Sequence, residues 1–143
     1  MLEKSLRGEL MSARSARILL IYPPSRTQSH LSCPMGLLML AAVLEKAGHE
    51  VHLLDANAAN RRLTSAEIVE IAARMRPDVV GMTLVTPLVK EAYRLASSLR
   101  QCGAKLIAGG PHATLLPEEP LDHGFDAVVV GEGEPTIVEA VQA

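Results

Sequence analysis

The sequence predicts an α/β protein built on a doubly wound parallel sheet of five strands, and three observations carry that expectation. Short apolar runs of strand length alternate with longer amphipathic stretches, no segment repeats another, and Gly or Pro stands at most junctions between the two patterns. Strands joined through helical crossovers must run parallel, and right-handed crossovers lay helices on both faces of the sheet. Such strands are buried on both sides and read as continuous apolar runs rather than as alternation.

The first strand is residues 17–22, the run Arg17-Ile18-Leu19-Leu20-Ile21-Tyr22, stopped by Pro23 and Pro24. A polar loop over residues 25–33 leads to Pro34, which suits the first turn of a helix; Leu37, Leu40, Ala41 and Leu44 then recur at helical spacing until Gly48 ends it. Residues 49–55 make the second strand. Thr64 and Glu67 form a capping box, in which hydroxyl and carboxylate each satisfy a free backbone donor, and Ile68, Ile71, Ala72 and Met75 make the inward stripe of the helix that follows. Residues 78–82 are the third strand, Leu88, Ala92, Leu95 and Leu99 mark the third helix up to Gly103, and residues 104–108 are the fourth strand. A loop over residues 109–117 and a short helix around residues 118–123 precede the fifth strand, residues 126–130, and Pro135 opens a last helix. For a domain of this size the flavodoxin-like strand order 2-1-3-4-5 is expected. The chain divides into an N-terminal tail, residues 1–16, and one domain, residues 17–143.

Composition narrows the function. The chain has 143 residues but one Phe, two Tyr and no Trp, so its core is aliphatic and offers bases no stacking platform. With a formal charge of -2 it also lacks the basic footprint of a nucleic-acid binder. Cys33 and Cys102 stand far apart with no CxxC, which fits ordinary thiols in a reducing cytoplasm. The N-terminal residues mix acidic and basic side chains without a long apolar segment, so neither a signal peptide nor a membrane span is expected.

In an open α/β sheet, ligands bind outside the carboxyl ends of the strands, where the loops over residues 25–33, 83–87, 109–117 and 131–135 would meet. The most informative of these follows the fourth strand, Leu106-Ile107-Ala108-Gly109-Gly110-Pro111-His112-Ala113-Thr114. A glycine pair is ordinarily a turn device. At a strand end facing the crevice, missing side chains also let a large, flat-sided cofactor approach the backbone. The five histidines show neither HxxxH nor HExxH spacing, so a zinc site is not expected. A phosphoacceptor receiver domain needs acidic residues after the first strand and an Asp after the third, where this chain has Tyr22-Pro23-Pro24 and Thr83-Leu84. A flavin would find few aromatic rings to sandwich it.

Together, the Pro-Pro turn, Pro34-Met35-Gly36-Leu37, Gly48-His49, Gly81-Met82-Thr83-Leu84-Val85-Thr86-Pro87, the Gly109 to Thr114 segment and Gly131-Glu132-Gly133-Glu134 resemble a known family over residues 17–141. That family is the cobalamin-binding domain at the N-terminus of many radical S-adenosylmethionine enzymes, methyltransferases and cyclases among them. The resemblance implies a module that holds cobalamin for a radical catalytic domain carrying S-adenosylmethionine and an iron-sulfur cluster on CxxxCxxC. This chain has no such triplet, so no catalysis is expected from it alone, and the domain reads as one excised from a larger enzyme. In methionine synthase-type relatives a DxHxxG histidine after the first strand binds cobalt. That motif is missing here and Asp122-His123-Gly124 lies elsewhere with other spacing, which implies base-off cobalamin without the usual histidine ligand.

By the same resemblance the detached nucleotide tail enters a slot beside the sheet, and side chains at Gly109 or Gly110 would fill it, so a bulky residue at either should block entry while leaving the strand foldable. Cofactor contacts are implied at Thr83, Leu84 and Thr86 and at His112, while Arg26, Gln28 and His30 face either the lower side of the corrin or solvent, the commoner fate of such loop residues. Thr86 has a second and favoured reading as the N-cap before Pro87, and His112 could equally make a loop hydrogen bond. Gly131, Glu132 and Gly133 precede a helix whose backbone donors suit the tail phosphate. Glu132 would accept from a ribose or amide donor and Glu134 would support the helix start. The competing expectation is a degenerate domain that kept the fold, binds no cofactor and docks a substrate or protein.

Overall fold

A computed structural model describes residues 14–25, 33–58 and 61–143. Five parallel strands pair in the order β2-β1-β3-β4-β5, as the sequence predicts. They are β1 (Arg17–Tyr22), β2 (Glu50–Asp55), β3 (Val79–Thr83), β4 (Lys105–Gly109) and β5 (Ala127–Val128). The helices are α1 (Met35–Lys46), α2 (Ser65–Met75), α3 (Val89–Leu99), α4 (Pro111–Leu115), α5 (Glu118–Asp122) and α6 (Ile137–Gln142), with 3₁₀ turns over Thr86–Leu88 and Arg100–Cys102.

Two cores lie on opposite faces of the sheet. One holds Leu19, Ile21, Val80, Met82, Leu106 and Ala108 against α2 and α3, through Ile68, Ala72, Ala92, Leu95 and Leu99. The other holds Ile18, Leu20, Val79 and Ile107 against α1 and α6, through Leu37, Leu44, Ile137 and Val141. The central strands are apolar on both sides because each alternate residue feeds a different core. Thr64 caps α2: its hydroxyl accepts from Glu67 N–H at 3.2 Å and the Glu67 carboxylate accepts from Thr64 N–H at 2.8 Å. Lys105 Nζ donates to Ala140 O at 2.9 Å and ties α6 to the edge of β4.

The structure corrects several boundaries. Strand five keeps only two ladder residues of the expected five, flanked by single bonds to β4 from Asp126 N–H to Leu106 O and from Val129 N–H to Ala108 O. His49 precedes β2 rather than joining it; its Nδ1 accepts from Ala16 N–H at 3.1 Å. The expected loop over residues 109–117 holds a helix, α4, which Pro111 starts at the first position after Gly110. Thr86 does not cap α3; it opens the 3₁₀ turn and makes no side-chain cap bond.

Candidate functional site

A cleft of about 270 Å³ opens between the sheet and the pair α1 and α6, at the carboxyl ends of the strands. Its floor is one row of the sheet, Leu20, Gly81 and Ile107, which are register neighbours on β1, β3 and β4. Two residues later on those strands come Tyr22, Thr83 and Gly109, about 7 Å nearer the mouth. Leu37 and Leu40 of α1 and Ile137 of α6 form the facing wall, and Gly131, Glu132, Gly133 and Glu134 form the rim after β5.

Glycines keep this space hollow. A Cβ on Gly81 would stand 2.7 Å from Leu20 Cδ2, and one on Gly133 would stand 2.9 Å from Leu40 Cδ2, so each absence leaves room for a leucine that lines the cleft. Gly109 is looser, with Val129 O 3.9 Å from its added Cβ. Gly110 serves the chain path instead. Its φ is +93°, and a Cβ there would lie 2.6 Å from Thr83 Oγ1 and 2.9 Å from Leu84 O. Replacing it strains the fold, so the expectation that a bulky residue at either glycine spares folding fails at Gly110.

Of the predicted contact residues, Thr83, Gly109, Gly110, Gly131, Glu132 and Gly133 come together in the cleft, while Leu84, Thr86 and His112 do not line it. Arg26, Gln28 and His30 lie outside the described residues. Leu84 is fully buried in the core on the other face, and its backbone interlocks two loops: its N–H donates to Gly109 O at 2.7 Å and its carbonyl accepts from His112 N–H at 3.0 Å. Thr114 continues the lock, bonding Gly110 O through its hydroxyl and accepting from Gly131 N–H at 3.0 Å. That Gly131 donor is therefore taken, and Gly133 O accepts from Thr136 and Ile137 in the turn that separates the glycine loop from α6.

His112 is buried and held at both nitrogens. Nε2–H donates to the Glu119 carboxylate at 3.2 Å, leaving Nδ1 to accept from the Thr86 hydroxyl at 3.1 Å. Glu119 also accepts from the Tyr93 hydroxyl at 3.1 Å, and Tyr93 stacks on His123 with ring centroids 3.9 Å apart. The His112 hydrogen bond is the main cause holding the Glu119 carboxyl below its ordinary value, with the Tyr93 bond adding to it and burial opposing. Burial, then Glu119, pushes the Tyr93 phenol far up. The network clamps the turn after β3 to the helices after β4, one layer away from the cleft.

Sequence reasoning missed the α1 wall, Pro34, Gly36, Leu37 and Leu40, and the floor glycine. A glycine in mid-strand was the available signal for Gly81. Nothing local announced the His112 network, whose members come from four separate elements.

Tyr22 and Thr83 are the hydroxyl-bearing side chains of the cleft, and neither has a hydrogen-bond partner among the described residues. No group of three potential metal ligands occurs among the described residues, and no described helix is long and apolar enough to cross a membrane.

A glycine-hollowed, aliphatic cleft at the carboxyl ends of a doubly wound sheet defines a cofactor-binding α/β module rather than a phosphoacceptor domain. The B12 binding domain family matches residues 29–141, and the chain belongs to that family. It is 35% identical over 136 residues to an uncharacterized methyltransferase of Pyrococcus horikoshii, covering 89% of this chain and 29% of the relative. It is 35% identical over 144 residues to the anaerobic magnesium-protoporphyrin IX monomethyl ester cyclase of Synechocystis, covering 89% of this chain and 27% of the relative. The radical S-adenosylmethionine methyltransferase TsrM of Kitasatospora setae, solved with cobalamin and an iron-sulfur cluster bound, superposes with a TM-score of 0.78 at 25% identity, over 91% of this chain and 26% of that one. The chain thus spans under a third of the length of each of these three relatives.

Proposed function

We propose that this chain is the cobalamin-holding module of a larger radical S-adenosylmethionine enzyme of the methyltransferase type, and that it receives the cofactor with the lower nucleotide tail detached from cobalt. One observation carries the reading: in a B12-binding domain, Gly81, Gly109 and Gly133 leave a hollow beside the sheet that their own side chains would occupy or crowd. Leu20, Leu37, Leu40, Ile107 and Ile137 would pack the tail base, the Thr83 hydroxyl would hydrogen-bond the tail, and Glu132 would accept from a ribose hydroxyl or an amide. When bound, cobalamin supplies methyl-transfer and radical chemistry through its cobalt. The protein's share is to hold the corrinoid over the strand ends with its upper face toward a catalytic domain that brings S-adenosylmethionine and an iron-sulfur cluster.

The hollow beside the sheet supports the base-off reading, and the histidines bear on whether a protein imidazole takes the place of the tail on cobalt. Among the described residues, His49, His52, His112 and His123 all lie away from the cleft, and the DxHxxG motif is absent from the loop after β1, whose His30 lies outside the described residues. Leu84, Thr86 and His112 act at one remove, by fixing the turns that carry Thr83 and Gly110.

Mixing the purified protein with hydroxocobalamin, desalting it and recording the absorption spectrum tests the reading. Stoichiometric retention of corrin bands is expected, and a colourless protein overturns it in favour of a domain that kept the fold without the cofactor. Reducing the loaded protein to the cobalt(II) form and recording its electron paramagnetic resonance tests the tail. Cobalt lines without splitting from an axial nitrogen are expected, and nitrogen splitting would overturn the assignment of a cobalt that carries neither the tail base nor a histidine.

A further inference from the structure

Among the described residues, the inner part of the cleft offers no polar side chain. Leu20 and Ile107 flank Gly81 on the floor, and Leu37, Leu40 and Ile137 face them. The floor backbone is no substitute, because β3 lies between β1 and β4 and the peptide groups of this row are engaged in the parallel ladders on both sides. Among the described residues, polar side chains enter only toward the mouth, as the hydroxyls of Tyr22 and Thr83 and the carboxylates of Glu132 and Glu134.

We infer that this cleft selects the lower base of the corrinoid by polarity, taking an apolar benzimidazole and rejecting a purine; the inference rests on the cobalamin reading above. A dimethylbenzimidazole presents a hydrocarbon ring and two methyl groups to such a floor. Adenine presents an exocyclic amine and extra ring nitrogens, and each polar atom buried without a partner weakens binding by about tenfold or more. Release of the tail from cobalt works in the opposite direction, since adenine is the weaker ligand and detaches more readily. A preference for benzimidazole therefore reports the slot and not the cost of detachment.

The test is equilibrium dialysis of the full 143-residue chain against hydroxocobalamin, its adenine-tailed analogue and tailless cobinamide. Cobalamin should bind at least about tenfold more tightly than the adenine analogue, which should bind no better than cobinamide. In Leu40→Gln, a half-buried wall position where a side-chain amide can serve a purine, the gap between the two tailed corrinoids should narrow at least about threefold. Equal binding of the two tailed corrinoids by the native chain overturns the inference and leaves the cobalamin reading standing. A gap unchanged in a folded Leu40→Gln protein also overturns it. Failure to bind any of the three removes the cobalamin reading itself.

Discussion

At the scale of single residues, the glycines of the cleft divide by what surrounds them. In Gly81→Ala the new methyl meets Leu20 Cδ2, the flexible end of a side chain, so Leu20 moves and the fold survives while the floor rises. Cobalamin affinity measured by dialysis should fall about tenfold or more, with a melting temperature close to that of the native chain. Gly110→Ala should behave oppositely. Its methyl meets backbone atoms of Leu84 at a φ of +93°, so the protein should lose about 1–3 kcal/mol in denaturant unfolding. Gly109→Ala, with its nearest contact at 3.9 Å, should unfold within about 1 kcal/mol of the native chain. Equal destabilisation by the three substitutions would refute this division.

At the scale of elements, stability rests on caps and on one buried network. Thr64→Ala removes the hydroxyl half of the α2 capping box and should cost about 1 kcal/mol in denaturant unfolding. Acid acts on the same features. Glu67 is held below its ordinary value of 4.5 chiefly by the Thr64 backbone N–H, and Glu119 chiefly by His112. A carboxyl lowered by folding stabilises the native state above its unfolded value, and that contribution disappears as pH falls through the lower, folded value. Unfolding midpoints followed from neutral pH downward should therefore decline below about pH 4.5, and Glu119→Gln should start lower and decline less steeply. The elements most legible in the sequence were those with local signals: β1 between a charged residue and Pro-Pro, α2 with its box, and the strand order implied by βα alternation. Strand five and α4 were not, because a two-residue ladder and a five-residue helix depend on bonds between distant segments, Val129 to Ala108 for the one and His112 to Leu84 for the other.

At the scale of the whole molecule, the two faces of the sheet divide the work. The α2 and α3 face is closed by a full core and the His112 clamp, and the α1 and α6 face gives up packing at its upper end to make the cleft. Half of that cleft was legible in the sequence, since Gly109 at the end of β4 and Gly131 and Gly133 in the loop after β5 stand where any doubly wound sheet brings its strand ends together. The α1 wall was not, because Leu37 and Leu40 read as ordinary core residues of an amphipathic helix, and only the hollow under them shows that they also line the cleft. A fold that leaves such a hollow should be tightened by what fills it. A ligand that binds only the native state stabilises it by about 2.7 kcal/mol at a hundredfold excess over its Kd, which for a domain of this size raises Tm by roughly 5–10 °C. Thermal unfolding with saturating hydroxocobalamin should show that rise, and Gly81→Ala at the same concentration should show a smaller one. A native chain whose Tm stays fixed while corrin bands co-purify with it would mean that the corrinoid sits on the surface and not in the space between the sheet and α1.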